Sequence, residues 1–176
     1  KTLMRDRFDP WKMEPIEDAG ALCYVARRMV NDNEARMERV RAILRRFKRA
    51  IVFYSFDYEL ELLRGLYGLS GVSVREYNGH KHESLPEGES WVYLVNYASG
   101  AEGWNCVTTD CMIFSSLSYS WRQTQQCMGR IDRMNTPYTN LRYWFLYTQS
   151  DIDLAIRRAQ GRKEVFNEKS WALGRA

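Results

Sequence analysis

The sequence has no glycine-rich phosphate loop. No GxxxxGK[ST] pattern occurs in its 176 residues, and the dipeptide Gly-Lys is not found once. There is no Asp-Glu dipeptide either, so the acidic box that holds magnesium in nucleotide hydrolases has no counterpart. Phosphoryl transfer needs the loop amides, the lysine and the metal together. A chain lacking all three is not an ATPase by itself. Cysteine is scarce and scattered (Cys23, Cys106, Cys111, Cys127) with no close CxxC pair, and the two histidines are His80 and His82. No metal site is expected, and the thiols read as reduced and intracellular. No apolar run approaches the ~18 residues of a membrane span. No secretory leader is visible, and the start at Lys1 reads as a fragment from within a longer chain.

What is present describes a globular domain. Hydrophobic residues make up 45%, aromatics 14% and charged residues 27% of the chain, the profile of one domain with a real core. The net charge of +4 and pI of about 8.9 are compatible with a nucleic-acid partner but too weak to argue for one.

Along the chain, residues 1–32 form a lead-in, "RDRFDPWKMEPIEDAG" followed by helical character from Ala21 to Val30. From Asn33, Met37, Val40, Leu44 and Phe47 fall at helical spacing, with Asp32 or Asn33 as cap. Arg36, Arg39, Arg46 and Arg49 then populate the opposite face, read as solvated. "AIVFYSF" (Ala50–Phe56) has the branched and aromatic composition of a strand covered on both faces. "DYELELLRGLYG" predicts a helix ending at Gly65 or Gly68, and "VSVREY" alternates like a strand near a sheet edge. "WVYLVNY", "CMIF" and "LRYWFLY" supply three more buried strands. Ser150 opens a last helix with Asp153 placed for a capping box, and 167–176 is a tail. Strands alternating with helices predict an α/β fold, a mainly parallel sheet in three layers. Most tyrosines and tryptophans fall in those strands, so core packing accounts for them better than base stacking.

In such sheets chemistry collects beyond the carboxyl ends of the strands. "YNGHKH", "NYASGAEGWN" and "SSLSYSWRQTQQCMGRIDRMN" all lie there. If Trp121 to Arg133 is helical, Gln126, Arg130 and Arg133 share one face at i, i+4 and i+7. Gly129 beside them costs about 1 kcal/mol of helix propensity, a cost that a close approach would offset. Two permanently charged planar guanidiniums suit phosphate oxygens. They equally suit ion pairs with Asp132 or Glu102. Spacing alone leaves both readings open.

"QxxGRxxR" (Gln126, Gly129, Arg130, Arg133) resembles the last motif of superfamily-two helicases and translocases. "SGAEGWN" (Ser99–Asn105) resembles their fifth motif and "AIVFYSF" their fourth-motif strand. The order and spacing match over roughly 33–166. Within that superfamily the Swi/Snf-type group is the best match, through Gly100-Ala101-Glu102-Gly103-Trp104-Asn105, then Tyr119, Trp121 and Gln126, and through the terminal "SDIDLAI". Two departures stand: Gly100-Ala101 replaces a glycine pair, and "RMNT" replaces the usual "RIGQ". The wording "EGWN…SLSYS…GRIDRMNTPY" looks most like compact versions encoded by bacteriophages.

The resemblance implies a C-terminal RecA-like domain that contributes half of an ATP site. Arg133 would be the arginine finger, Arg130 would sit beside it on phosphate or on the interdomain contact, and Gln126 would orient both. Gly103 and Asn105 would face the nucleotide. Tyr97 and Ser99 would face or couple to the nucleic-acid backbone, and Ser55, Asn78 and Gly79 would contact phosphates of one strand. ATP with magnesium would be held mainly by a first RecA-like domain of the same parent protein. The track would be DNA, with RNA as the alternative, in the cytoplasm of a bacterial or phage-infected cell. The isolated domain would hydrolyse nothing. Two other classes compete: a binding module of the same fold with no partner ATPase, and an unrelated α/β nucleotide enzyme. The paired arginines argue against the first, and "SFDYELE", which is no phosphate loop, against the second.

Overall fold

The computed structural model describes residues 2–100 and 104–174. A short helix α1 (Thr2–Asp6) and a two-stranded hairpin, β1 (Phe8–Asp9) and β2 (Glu14–Pro15), lead into α2 (Ala19–Asn31). Asp18 caps α2 by accepting from the Ala21 N–H at 2.8 Å. Asn33, one of the two expected caps, does the same for α3 (Glu34–Leu44) by accepting from Arg36 N–H. Then follow β3 (Arg49–Tyr54), α4 (Asp57–Leu63) with a 3-10 turn at Arg64–Gly68, β4 (Ser73–Tyr77), β5 (Trp91–Asn96), the single-turn α5 (Tyr97–Gly100) and β6 (Cys111–Phe114). The chain continues through α6 (Trp121–Met128), β7 (Arg142–Phe145), α7 (Asp151–Gly161) and α8 (Glu168–Ala172).

Strands β3 to β7 form one parallel sheet in the order β4-β5-β3-β6-β7. The expected α/β fold is what the chain adopts. Ala50, Val52 and Tyr54 of β3 face α3 and α4, together with Val92, Leu94 and Ile113. Ile51 and Phe53 face the other way, onto Cys127 of α6 and Ile131 beyond it. Both faces are covered, which is why β3 and β5 read as unbroken apolar runs. "VSVREY" lies at one edge, as its alternation predicts. "LRYWFLY", expected among the buried strands, forms the other edge, and its residues from Tyr143 to Phe145 are only half buried.

A third apolar cluster joins α2, α7 and α8 to Leu117, Phe145 and Tyr147, at and beyond the carboxyl ends of β6 and β7. The lead-in helix and residues 167–174 thus pack on the same body as the sheet. Among the described residues no helix is long and apolar enough to cross a membrane.

The solvated arginine face expected on α3 is only partly so. Arg39 and Arg46 are exposed, whereas Arg49 starts β3 and Arg36 is buried. The Arg36 guanidinium donates to the backbone carbonyls of Ser115 and Leu146 and lies 3.7 Å from Asp153. The parallel strands leave these carbonyls unpaired where β6 and β7 end, and a buried polar group must find a partner. Burial pulls the Arg36 pKa down, with Asp153 opposing. Asp153, expected to close a capping box, instead accepts from Thr148 N–H at 2.7 Å and Thr148 Oγ1 at 3.0 Å, while Ser150 accepts from Asp153 N–H.

Gly100 ends α5 where that turn presses on the sheet. A Cβ there would lie 2.5 Å from Val95 Cγ1 and 2.6 Å from Phe53 Cε1, both inside the core. Gly100→Ala is therefore expected to destabilise the fold by about 1–3 kcal/mol, as overpacking does, read as a lower denaturation midpoint.

Candidate functional site

The parallel sheet brings the loops after β3, β4, β5 and β6 to one edge, and a buried carboxylate organises it. Glu59, on the first turn of α4, is 3% exposed. Its Oε2 accepts from Ser55 N–H at 2.7 Å and from Ser116 Oγ at 2.9 Å, joining the ends of β3 and β6. Its Oε1 accepts from Asn31 Nδ2 at 3.3 Å and lies 3.8 Å from Arg27 Nη2, both on α2. Arg27 is itself buried, its guanidinium 5.1 Å from the ring centres of both Phe56 and Tyr119. Burial works against its charge, but Glu59 and its neighbours hold its pKa above the ordinary value.

The second group of contacts ties the arginine-bearing segment after α6 to the segment after β5. The condition for a shared arginine face, a continuous helix from Trp121 to Arg133, is not met: α6 ends at Met128, with Gly129 as its C-cap. The Arg130 carbonyl instead accepts from Cys106 N–H at 2.9 Å, and Ile131 is drawn into the core. That cross-chain bond, beside a glycine of poor helix propensity, turns the backbone out of the helix. Gln126, Arg130 and Arg133 therefore do not share a helical face. Gln126 stays exposed on α6. The atoms nearest a Gly129 Cβ would be the carbonyls of Gln126 and Gln125 at 3.4 and 3.6 Å. No other segment approaches it among the described residues.

The arginines nevertheless converge on the segment after β5. Arg130 Nε donates to the Gly100 carbonyl at 3.2 Å and Nη1 to the Trp104 carbonyl at 3.0 Å. Its guanidinium also lies 6.0 Å from the centre of the Trp104 ring. Arg133 Nη2 donates to Asn105 Oδ1, while Arg133 Nε is buried without a hydrogen-bond partner among the described residues. Trp104 is the anchor beneath them, stacked on Phe53 and edge-on to Tyr93. Gly103 lies outside the described residues.

The remaining expected residues divide by exposure. Ser55 is half-buried, 3.5 Å from Ser116 across the Oγ atoms, and Ser99 is half-buried on α5. Gly79 is exposed with open space around it. Asn78 is buried, and its Oδ1 accepts from the N–H groups of both His80 and Lys81. Its side chain builds the turn that presents Gly79, His80 and Lys81, and does not itself face outward. Tyr97 is likewise buried, donating to the Ser116 carbonyl at 2.9 Å. Its place is beneath the edge, where it ties α5 to β6.

Below that turn Glu76, 1% exposed, receives Arg64 through two bonds of 2.9 and 3.0 Å and Tyr67 OH at 3.0 Å. Arg64 first, then Tyr67, hold its carboxyl below the ordinary range against the effect of burial. Burial pushes the thiols of Cys23, Cys111 and Cys127 up to about 12, away from nucleophilic use. Glu59, Arg27 and Arg36 had no signal in the sequence beyond being charged residues next to apolar ones.

No model of a known protein family matches the sequence, and no curated protein matches it. Among solved structures the chain resembles the crystal structure of the C-terminal part of the Fun30 ATPase domain, with a TM-score of 0.65 at 13% identity. The match covers 79% of this chain and 50% of that one, so the chain spans about half of its neighbour's length. The fold is RecA-like. At that identity the likeness is one of architecture alone.

Two outcomes follow from the buried carboxylates. Glu59→Gln leaves Arg27 buried without its counter-charge and is expected to cost about 3–5 kcal/mol, measured by chemical denaturation. Glu76 has its folded pKa depressed, so its contribution is present above its ordinary 4.5 and is lost as pH falls through the lower folded value. Glu76→Gln should flatten that acid-side loss in a stability–pH profile.

Proposed function

We propose that the chain is the C-terminal motor domain of an ATP-dependent helicase or translocase of superfamily two, with DNA as its track. The observation that carries this is the pairing of Arg130 with the Gly100 and Trp104 carbonyls and of Arg133 with Asn105, on a RecA-like sheet. The two sequence patterns that resemble the fifth and last helicase motifs are far apart in the chain and meet at one edge. A bare structural helix would have no need of that meeting. The Swi/Snf-type assignment, and within it the likeness to compact phage-encoded proteins of the cytoplasm, rests on the wording of those motifs.

The donor set fits an anionic nucleotide. Arg133 has one guanidinium nitrogen on Asn105 and a buried Nε with no acceptor among the described residues, a polar atom that a phosphate oxygen would satisfy. Arg130 is fixed by two carbonyls and a ring, which suits it to hold the loop that faces the nucleotide. On this reading magnesium belongs with the phosphate loop of a first RecA-like domain. When bound, ATP with magnesium supplies the phosphoryl group whose developing charge an arginine stabilises. This chain's share is to orient that arginine and to coordinate its edge with the strand. Ser55, Ser99, Gly79 and the backbone of the turn at 78–81 line the side toward which nucleic-acid phosphates would run, positioning the strand without reading its sequence.

In the parent protein, Arg133→Ala should lower DNA-stimulated ATP turnover by about 10³–10⁵-fold while ATP binding is retained. Steady-state ATPase assays with and without DNA, alongside a nucleotide-binding titration, measure both. Unimpaired turnover in the variant would sink the motor reading.

A further inference from the structure

The opposite edge of the sheet carries a feature that the motor site does not use. From the end of α3 to the first residue of β3 runs Arg45-Arg46-Phe47-Lys48-Arg49, four cations in five residues. The residues from Arg46 to Arg49 line a concavity of about 430 Å³ with Glu89, Thr109, Asp110 and Tyr138, the residues just ahead of or at the amino ends of β5, β6 and β7. Arg142 borders it, paired to Asp110 and 5.5 Å from the centre of the Phe47 ring. Arg46, Lys48, Arg49 and Arg142 thus face two carboxylates here, a net of two positive charges, and Arg45 adds a further exposed cation beside them.

The cations are differently placed. Lys48 lies 3.9 Å from Glu89, and Arg49 donates to the Thr108 carbonyl. Arg45 and Arg46 are exposed and form no ion pair among the described residues. The floor is firm: Thr109, 1% exposed, donates to the Arg49 carbonyl at 2.6 Å and accepts from Cys111 N–H at 3.1 Å. The other basic group, on and after α7, is more dispersed, with Arg157 lying over Tyr147 and Arg162 paired to Glu164.

We propose that this amino edge is a second polyanion-binding surface, which takes the phosphate backbone of a nucleic acid away from the motor edge. Guanidiniums outnumber the ammonium and match phosphate oxygens, and unneutralised cations release counterions from a phosphate backbone. The choice of nucleic acid over an acidic polypeptide rests on the motor reading; the cationic surface itself does not. Its effect is to hold the flanking track near the motor while the carboxyl edge opens and closes.

The test compares the parent protein with Arg45→Gln/Arg46→Gln/Lys48→Gln and with Arg133→Ala, by fluorescence anisotropy on a labelled random-sequence duplex across a salt series. All three substituted cations of the first variant are exposed, so the fold is kept, which circular dichroism checks. Three lost phosphate contacts lower the salt slope by about 0.9 each, so affinity from about 50 to 200 mM salt should fall about 40-fold less steeply in the triple variant. Arg133→Ala should keep the parent's slope. An unchanged slope in the triple variant overturns the inference, whatever Arg133→Ala does to ATP turnover. Loss of turnover in Arg133→Ala alone bears only on the motor reading. If a polyglutamate peptide binds the parent protein through the same three cations and the duplex does not, the partner is an acidic polypeptide and the nucleic-acid proposal fails.

Discussion

The Glu59 carboxylate is the interaction on which the candidate site depends. Parallel strands end with unpaired backbone groups, and here the ends of β3 and β6 must be held side by side for the loops after them to form an edge. Glu59 does this with two acceptor oxygens, one on Ser55 N–H and Ser116 Oγ, the other toward Asn31 and Arg27. A carboxylate buried this deeply is tolerable only with hydrogen bonds and a counter-charge. Arg27 supplies the charge from α2, so the lead-in helix is part of the site's foundation. Arg36 and Asp153 repeat the device at the ends of β6 and β7.

Above this ionic layer lies an aromatic one. Phe53, Phe114 and Phe145 stack in sequence across the sheet, with centroids 5.5 and 4.6 Å apart, and Tyr97 and Trp104 lie on Phe53. Burial of such rings is the largest apolar contribution available to a small domain. Trp104 links the stack to the arginines through the Arg130 guanidinium and its own carbonyl. The arginine segment is thereby fixed to the core at one end, while Arg133 stays half-buried at the rim, with one donor unsatisfied among the described residues.

The two edges of the sheet then differ in kind. The carboxyl edge is a built arrangement of buried ion pairs and short turns, such as the Asn78 turn that displays Gly79, His80 and Lys81. The amino edge is a shallower concavity with exposed cations over a rigid floor. A RecA-like domain that moves against a neighbour benefits from this division, because one edge can change its contacts without disturbing the other.

Much of the fold was legible in the chain. Apolar runs of strand length separated by helical periods specify a doubly covered parallel sheet, since only burial on both faces permits residues 50–54 to be apolar without alternation. Caps at Asn33 and Ser150, and the edge character of "VSVREY", follow from local chemistry that acts within a few residues. The candidate site was legible as composition: the arginines, the glycines and the loops that carry them are named by their spacing. What the sequence alone could not decide depends on atoms distant in the chain. Cys106 N–H takes the Arg130 carbonyl and ends the helix that a shared arginine face required, because a cross-chain hydrogen bond outweighs weak local propensity next to Gly129. Arg36 left its expected solvated face because the carbonyls of Ser115 and Leu146 needed a donor. Asn78 and Tyr97 face inward for the same reason: buried polar groups pair with whatever the tertiary structure brings near, and sequence spacing does not record that neighbourhood.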